Sequence, residues 1–154
     1  MFSHVAARQY PYSIYLGSYA TDTQLEKAVS IYQEKGLTPY WVKVDLGDKG
    51  LWFRLFAGYF RSKESTEGYI RANRIAEAES RHTRYSVFLG KYQSADALNK
   101  ERERLQSLGF CTYTIRETNE GTLLFSGAFY RKDFAEKEQR QLISKGIKAE
   151  LVER

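Results

Sequence analysis

The chain has 154 residues, of which 42% are hydrophobic and 28% charged, and its formal net charge is +5 at pH 7. This composition is typical of a globular protein, and the length allows one ordinary domain or two small ones. No apolar run approaches the roughly 18 residues that a membrane-spanning helix needs. Residues 1–8 are too few and too polar to predict a signal peptide. A single cysteine, Cys111, excludes an internal disulfide and a multi-cysteine metal site.

Aromatic residues form 15% of the chain, and 12 residues are tyrosines. A tyrosine joins an apolar ring to a polar hydroxyl, which suits contact surfaces as well as cores. Positive and negative residues alternate along the chain without a basic block. The mildly basic surface therefore favours an anionic partner but does not identify its class.

The sequence contains two copies of one unit. Residues 12–19 (YSIYLGSY) recur 73 positions later as residues 85–92 (YSVFLGKY). Self-similarity at a fixed offset indicates a duplicated structural unit. We therefore predict two domains, residues 10–80 and residues 83–154.

The first copy begins with a strand over residues 12–17, where polar and apolar side chains alternate. Thr23 and Glu26 fit a capping box at the start of a helix that Gly36 ends. The remaining predicted elements are strands at 40–44 and 51–57 joined by a turn at 47–50, a helix that starts at Ser62 or Ser65 and ends at Asn73, and a short strand at 75–78.

The second copy repeats this plan, with strands at 85–90, 113–117, 123–127 and 147–152 and helices at 94–108 and 133–145. The order β-α-β-β-α-β is the split βαβ arrangement. The predicted fold class is therefore α+β, with two tandem βαββαβ units of the ferredoxin type. Each unit has a four-stranded antiparallel sheet with both helices on one face, which leaves the opposite face open.

Two short motifs in each copy carry a family resemblance. Residues 14–19 (IYLGSY) precede the first helix and residues 53–60 (FRLFAGYF) precede the second; residues 87–92 and 124–129 are their counterparts. Each motif is weak alone, but their order, spacing and duplication are fairly specific. Over about residues 10–153 the chain resembles two SPOR (sporulation-related repeat) units in tandem.

The resemblance implies a bacterial, non-catalytic module of the cell envelope or periplasm, without a cofactor. Members typically bind peptidoglycan, favouring glycan strands stripped of stem peptides, such as those exposed at division septa. The family's ligand site lies on the open sheet face, at positions that here correspond to Tyr15, Ser18 and Arg54. Envelope or division proteins are further candidate partners, and membrane attachment would need an anchor that this chain lacks.

The chain also departs from the family pattern. Tyr15 in the first copy and Phe88 in the second stand where Gln is common. Lys91 and Leu123 replace the serine and the arginine in the second copy. We therefore expect glycan binding mainly by the first copy.

Strand alternation predicts which side chains of the first copy share the open face. Aromatic rings suit the C–H faces of sugars, and a guanidinium can pair with the lactyl carboxylate of a peptide-free muramic acid. The predicted face carries Tyr15, Trp41, Lys43, Trp52, Arg54 and Phe56. The candidate glycan-binding residues are Tyr15, Ser18, Trp41, Trp52, Arg54 and Phe56. Lys43 shares the predicted face but is not one of these candidates.

The corresponding face of the second copy is less aromatic and more aliphatic. It is predicted to hold Thr114 and Leu123 beside three weaker glycan-binding candidates, Phe88, Arg116 and Phe125. The aliphatic part of this surface also suits a contact with protein.

Other functions remain open at this point. Aromatic residues are common in strands for reasons of propensity alone, so the chain is alternatively a protein-interaction or scaffold module that kept the fold and lost glycan binding. Residues 51–58 lack the aromatic pattern of RNA-recognition strands, which argues against a nucleic-acid partner. No catalytic motif and no metal-ligand spacing is present, so we expect neither an enzyme nor a metal site.

Overall fold

The structure is a computed structural model that describes residues 9–117 and 121–154. It divides into two compact units: a first unit, Gln9–Thr83, and a second unit that contains Arg84–Arg154. Both units are α+β and have the predicted β-α-β-β-α-β order.

The first unit is a four-stranded antiparallel sheet in the order β2-β3-β1-β4. Its elements are β1 (Tyr12–Tyr19), α1 (Asp22–Glu34), β2 (Pro39–Asp45), β3 (Leu51–Phe60), α2 (Lys63–Ala72) and β4 (Glu79–His82). Both helices pack on the face that carries the buried side chains Ile14, Leu16, Phe53, Leu55 and Ala57.

The second unit has the same topology, with strand order β6-β7-β5-β8. Its elements are β5 (Tyr85–Tyr92), α3 (Ala95–Ser107), β6 (Thr112–Glu117), β7 (Gly121–Phe129), α4 (Lys132–Ser144) and β8 (Glu150–Glu153). The core of this unit contains Val87, Leu105, Leu124 and Leu142.

The last strand of each unit begins later than predicted. After α2, the amide of Ile75 still donates to the carbonyl of Ile70, and Arg74 and Glu77 adopt positive φ angles. These residues therefore form the connection from the helix, and β4 starts at Glu79 rather than at residue 75. The second unit repeats the pattern, since Ile147 closes α4 and β8 starts only at Glu150.

The start of α1 also differs from the prediction. Thr21 is the N-cap, and its side chain accepts a 3.2 Å hydrogen bond from the amide of Gln24. The capping-box pattern fits Thr21 and Gln24 as well as Thr23 and Glu26, which lie two positions later. The sequence is therefore compatible with either start of α1.

A β-bulge sets which side chains of β1 share a face. Tyr15 lies opposite Phe56 in β3, but the register shifts before Gly17, and Ser18 lies opposite Arg54. Directly opposed residues point to the same side of a sheet. Tyr15 and Ser18 therefore share a face although they are three positions apart, which strict alternation forbids.

Gly17 makes this bulge possible, because its φ of +150° is one that other residues rarely adopt. A β-carbon there would also lie 2.8 Å from the hydroxyl of Tyr19. We predict that Gly17→Ala lowers the free energy of unfolding in urea by about 1–3 kcal/mol.

The matched control for this prediction is Gly68→Ala in α2. A β-carbon at Gly68 meets nothing within 4 Å, and its φ is not positive. Because alanine is the better helix former, this variant should gain up to about 1 kcal/mol of stability. Equal effects of the two substitutions would contradict the role given to Gly17.

Candidate functional site

The face of the first sheet that faces away from α1 and α2 is called the helix-free face. In the β2–β3 pairing, Tyr40 lies opposite Phe56, and Val42 lies opposite Arg54. Val44 lies opposite Trp52. These side chains point away from the helices, and β1 adds Tyr15 and Ser18 to the same face.

The predicted placement of Trp41 and Lys43 on this face is wrong. Trp41 lies opposite Leu55 and Lys43 opposite Phe53, both on the helix side of the sheet. The Trp41 ring packs edge-to-face on Phe53 at 5.3 Å and belongs to the border of the core. The predicted alternation along β2 is correct, but the wrong side of the strand was assigned to the helices.

The middle of the helix-free face is not an open aromatic surface. Phe56 is on this face as predicted, but it is only 3% exposed, as is its neighbour Tyr40. Val42 and Val44 are at most 3% exposed. Phe56 therefore offers no ring to a ligand in this structure, and the expectation of a bare face is corrected at its centre.

The accessible part of the helix-free face is polar. Ser18 is exposed, and Tyr15, Trp52 and Arg54 are half-buried. The hydroxyls of Tyr15 and Ser18 are hydrogen-bonded at 2.5 Å. The indole N–H of Trp52 donates to the carbonyl of Lys49 at 2.8 Å, which fixes the ring plane. We call Tyr15, Ser18 and Arg54 the polar cluster.

Arg81 joins the polar cluster from β4, the strand on the other side of β1. Its guanidinium carbon lies 4.0 Å from the centre of the Tyr15 ring. Its Nε and Nη2 both donate to one carboxylate oxygen of Glu79, at 2.7 Å and 2.6 Å. Sequence reasoning missed Arg81 because it placed β4 at residues 75–78.

A surface cavity of about 510 Å³ adjoins the polar cluster. Ser18 and Trp52 form one side of this cavity, and Lys27, Ile31 and Tyr32 are among its lining residues from α1. The α1 residues were not predicted, because the sequence does not show which helix face turns toward the end of β1.

Two tyrosines of this cavity have raised pKa values. Burial is the main cause at Tyr19, followed by the neighbouring Tyr32 and Tyr15 hydroxyls, and together they raise the pKa of Tyr19. Burial, followed by the negative charge of Glu77, raises the pKa of Tyr32. Both phenols therefore stay neutral at physiological pH, and Tyr32 donates a 3.4 Å hydrogen bond to the carbonyl of Leu16.

A buried hydroxyl network lies further along the same face of the first unit. The Tyr40 hydroxyl bonds to Ser13 Oγ at 2.8 Å and donates to the carbonyl of Gly58 at 2.8 Å. Ser13 Oγ also bonds to the hydroxyl of Thr83 at 2.6 Å. Buried polar groups that are satisfied in this way hold strands in one register.

The second unit keeps this network. The Tyr113 hydroxyl bonds to Ser86 Oγ at 2.8 Å and donates to the carbonyl of Gly127 at 2.9 Å. Arg154, only 2% exposed, takes the place of Thr83 and donates to Tyr113 Oη at 3.3 Å. The supporting framework is therefore common to both units.

The second unit does not keep the polar cluster. Phe88 and Phe125 lie on the corresponding face but are only 5% and 1% exposed, so neither is accessible. Arg116 is exposed, but it lies opposite Thr122, on the side of the core residue Leu124, so its predicted placement on that face is wrong. As with Trp41, the wrong side of the strand was assigned to the helices.

A smaller cavity of about 410 Å³ lies in the second unit, where Phe88, Lys91, Lys148 and Glu150 are among its lining residues. Lys91 stands at the register position that Ser18 occupies in the first unit. The two cavities therefore differ in charge and in donor type.

Within residues 9–117 and 121–154, no group of three or more His, Cys, Asp or Glu side chains has metal-site geometry. Over the same ranges, no helix combines the length and the apolar character needed to cross a bilayer.

The comparison with known families concerns the first unit. Residues 9–74 match the SPOR domain. SPOR domains are in general peptidoglycan-binding modules of bacterial envelope and division proteins, and they are not enzymes. The matched SPOR segment ends before β4 and includes no part of the second unit. Searches of curated proteins and of solved structures gave no match.

The two tyrosines of the helix-free face provide a test of this geometry. We predict that Tyr40→Phe lowers the free energy of unfolding by about 1–3 kcal/mol, because it removes a buried hydroxyl with two partners. Tyr15→Phe removes an exposed hydrogen bond and should cost less than about 0.5 kcal/mol. Urea unfolding measures both, and a larger loss for Tyr15→Phe would refute the assigned exposures.

Proposed function

We propose that the protein is a non-catalytic module that binds peptidoglycan glycan strands through the first unit. The observation that carries the proposal is the coincidence of the matched SPOR segment with the accessible polar cluster. The cluster offers hydroxyl and guanidinium groups, which hydrogen-bond to the hydroxyl, N-acetyl and carboxylate groups of these strands.

Trp52 adds an apolar element beside the polar cluster. Its ring lines the 510 Å³ cavity next to Ser18, and its N–H is already satisfied by the Lys49 carbonyl. The ring is thus held in place and offers apolar surface to the C–H groups of a sugar. We infer that a sugar ring sits in this cavity while its polar substituents reach the cluster.

We further propose that the preferred strands lack stem peptides. A stem peptide converts the lactyl carboxylate of muramic acid to an amide and removes its charge. A guanidinium binds a carboxylate more strongly than a neutral amide. A peptidoglycan ligand supports a location in the bacterial envelope, on the periplasmic side, which is part of this proposal.

The second unit is proposed to be a structural partner rather than an equal glycan binder. Its framework network matches that of the first unit, whereas Lys91 and Phe88 stand where the first unit has hydroxyls. We also propose that the second unit is itself a SPOR domain.

The alternative is a protein-interaction or scaffold module. The observation in its favour is the burial of Tyr40, Val42 and Phe56, which withdraws the centre of the helix-free face from any glycan. The alternative predicts a folded protein that does not bind sacculi.

Co-sedimentation with sacculi tests the proposal. We predict that the protein pellets with native sacculi and more strongly with amidase-treated sacculi. Arg54→Ala and Trp52→Ala should each weaken the apparent affinity by about tenfold, because each truncates a central contact residue.

Arg116→Ala is the matched control for these variants, since Arg116 is an exposed strand arginine of the second unit. It should pellet like the unchanged protein. If neither sacculus preparation pellets the folded protein, the scaffold alternative replaces the proposal.

A further inference from the structure

Arg81 lies beside the proposed glycan site and contacts one of its residues, Tyr15, through its guanidinium group. We propose that Arg81 is a specificity-determining residue that recognises a carboxylate on the glycan, and that Tyr15 serves as its support. The inference rests on the proposed function and assigns a role in it to β4, which lies beyond the matched SPOR segment.

The stacking geometry changes the role expected of Tyr15. The Arg81 guanidinium lies 4.0 Å from the centre of the Tyr15 ring, the distance of direct contact between a flat cation and an aromatic face. That ring face is therefore occupied and cannot stack on a sugar. Tyr15 positions a cation on one side and bonds Ser18 through its hydroxyl.

Glu79 fixes the orientation of the guanidinium without enclosing it. It accepts hydrogen bonds from Arg81 Nε and Nη2, two of the five N–H donors of an arginine. The Arg81 side chain is 42% exposed and that of Glu79 is 56% exposed. The remaining donors of Arg81 can therefore meet an incoming acceptor from the solvent side.

The sheet order places two arginines around the same strand. β3 and β4 are the two neighbours of β1, so Arg54 and Arg81 flank β1 on opposite sides. Tyr15 and Ser18 lie on β1 between them. Hydroxyl groups on a strand between two arginine-bearing strands suit a sugar that carries both hydroxyls and a carboxylate, which describes a muramic acid residue without its stem peptide.

The second unit lacks an arginine and a tyrosine at the positions of Arg81 and Tyr15. Val152 lies opposite Ser86 where Arg81 lies opposite Ser13, and Phe88 replaces Tyr15. Glu150 retains the position of Glu79. The second unit therefore has the carboxylate without the arginine, so recognition by an arginine stacked on a tyrosine is not expected at these positions.

The test uses the full chain and two forms of one ligand. Soluble glycan strands from amidase-treated sacculi carry free lactyl carboxylates, and methylamide formation neutralises them in the second form. We expect the unchanged protein to bind the acidic form about fivefold more tightly, the size of an exposed charge pair. Arg81→Gln should lose most of this preference and keep its binding to the neutral form.

Arg131→Gln is the matched control. Arg131 pairs with Asp133, and its guanidinium lies 4.2 Å from the centre of the Phe134 ring, so it has the same chemistry in the second unit. This variant should keep the full preference. Arg81→Lys should keep part of it, because charge remains while the planar stack is lost.

Glu79→Gln provides a second variant with the opposite sign. Removal of the competing carboxylate should increase the preference for acidic strands about twofold, within the range of a surface charge pair. An unaltered preference in both Arg81→Gln and Glu79→Gln, with binding retained, overturns the role of Arg81 and leaves the proposed function standing. Failure of the unchanged protein to bind either form overturns both.

Discussion

The register of β1 against β3 is the constraint on which the candidate site depends. The shift between Tyr15 and Gly17 brings two hydroxyls three positions apart onto one face and sets Ser18 opposite Arg54. Gly17 permits the shift through its positive φ, and the Tyr19 ring occupies the space that a β-carbon would need. A regular strand would turn Ser18 toward the helices and leave Tyr15 without its hydroxyl partner.

Both units contain this bulge and register shift, but they carry different side chains at the positions that the bulge exposes. The bulge recurs before Gly90, and the Tyr113 hydroxyl network recurs beneath β5. At the positions that the bulge exposes, the second unit carries Lys91 rather than a serine. The two units therefore share the framework and differ at the positions of the candidate site, so a common fold does not imply a common function.

The helix-free face combines two surfaces with different consequences. Its centre is apolar and buried, whereas its edge, with Tyr15, Ser18 and Arg81, is polar and accessible. Under the proposed function, a ligand is recognised at this edge through hydrogen bonds and charge, and through the indole of Trp52 beside the cavity. Contacts of this kind are wet and individually weak, so specificity depends on the fixed geometry of the donors.

Local spacing and chain neighbours were enough to predict the two similar units, the order of their elements and the alternation along β2, whereas the bulge in β1 was not predicted. The sequence also pointed to Tyr15, Ser18 and Arg54 as a set, through the family resemblance. The packing of the helices places Trp41 against the core, and the pairing of β4 with β1 brings Arg81 onto the Tyr15 ring, and neither contact could be predicted from the sequence. Both sides of β2 carry apolar residues, so alternation cannot tell which side the helices cover, and a contact between two strands distant in the chain requires their register.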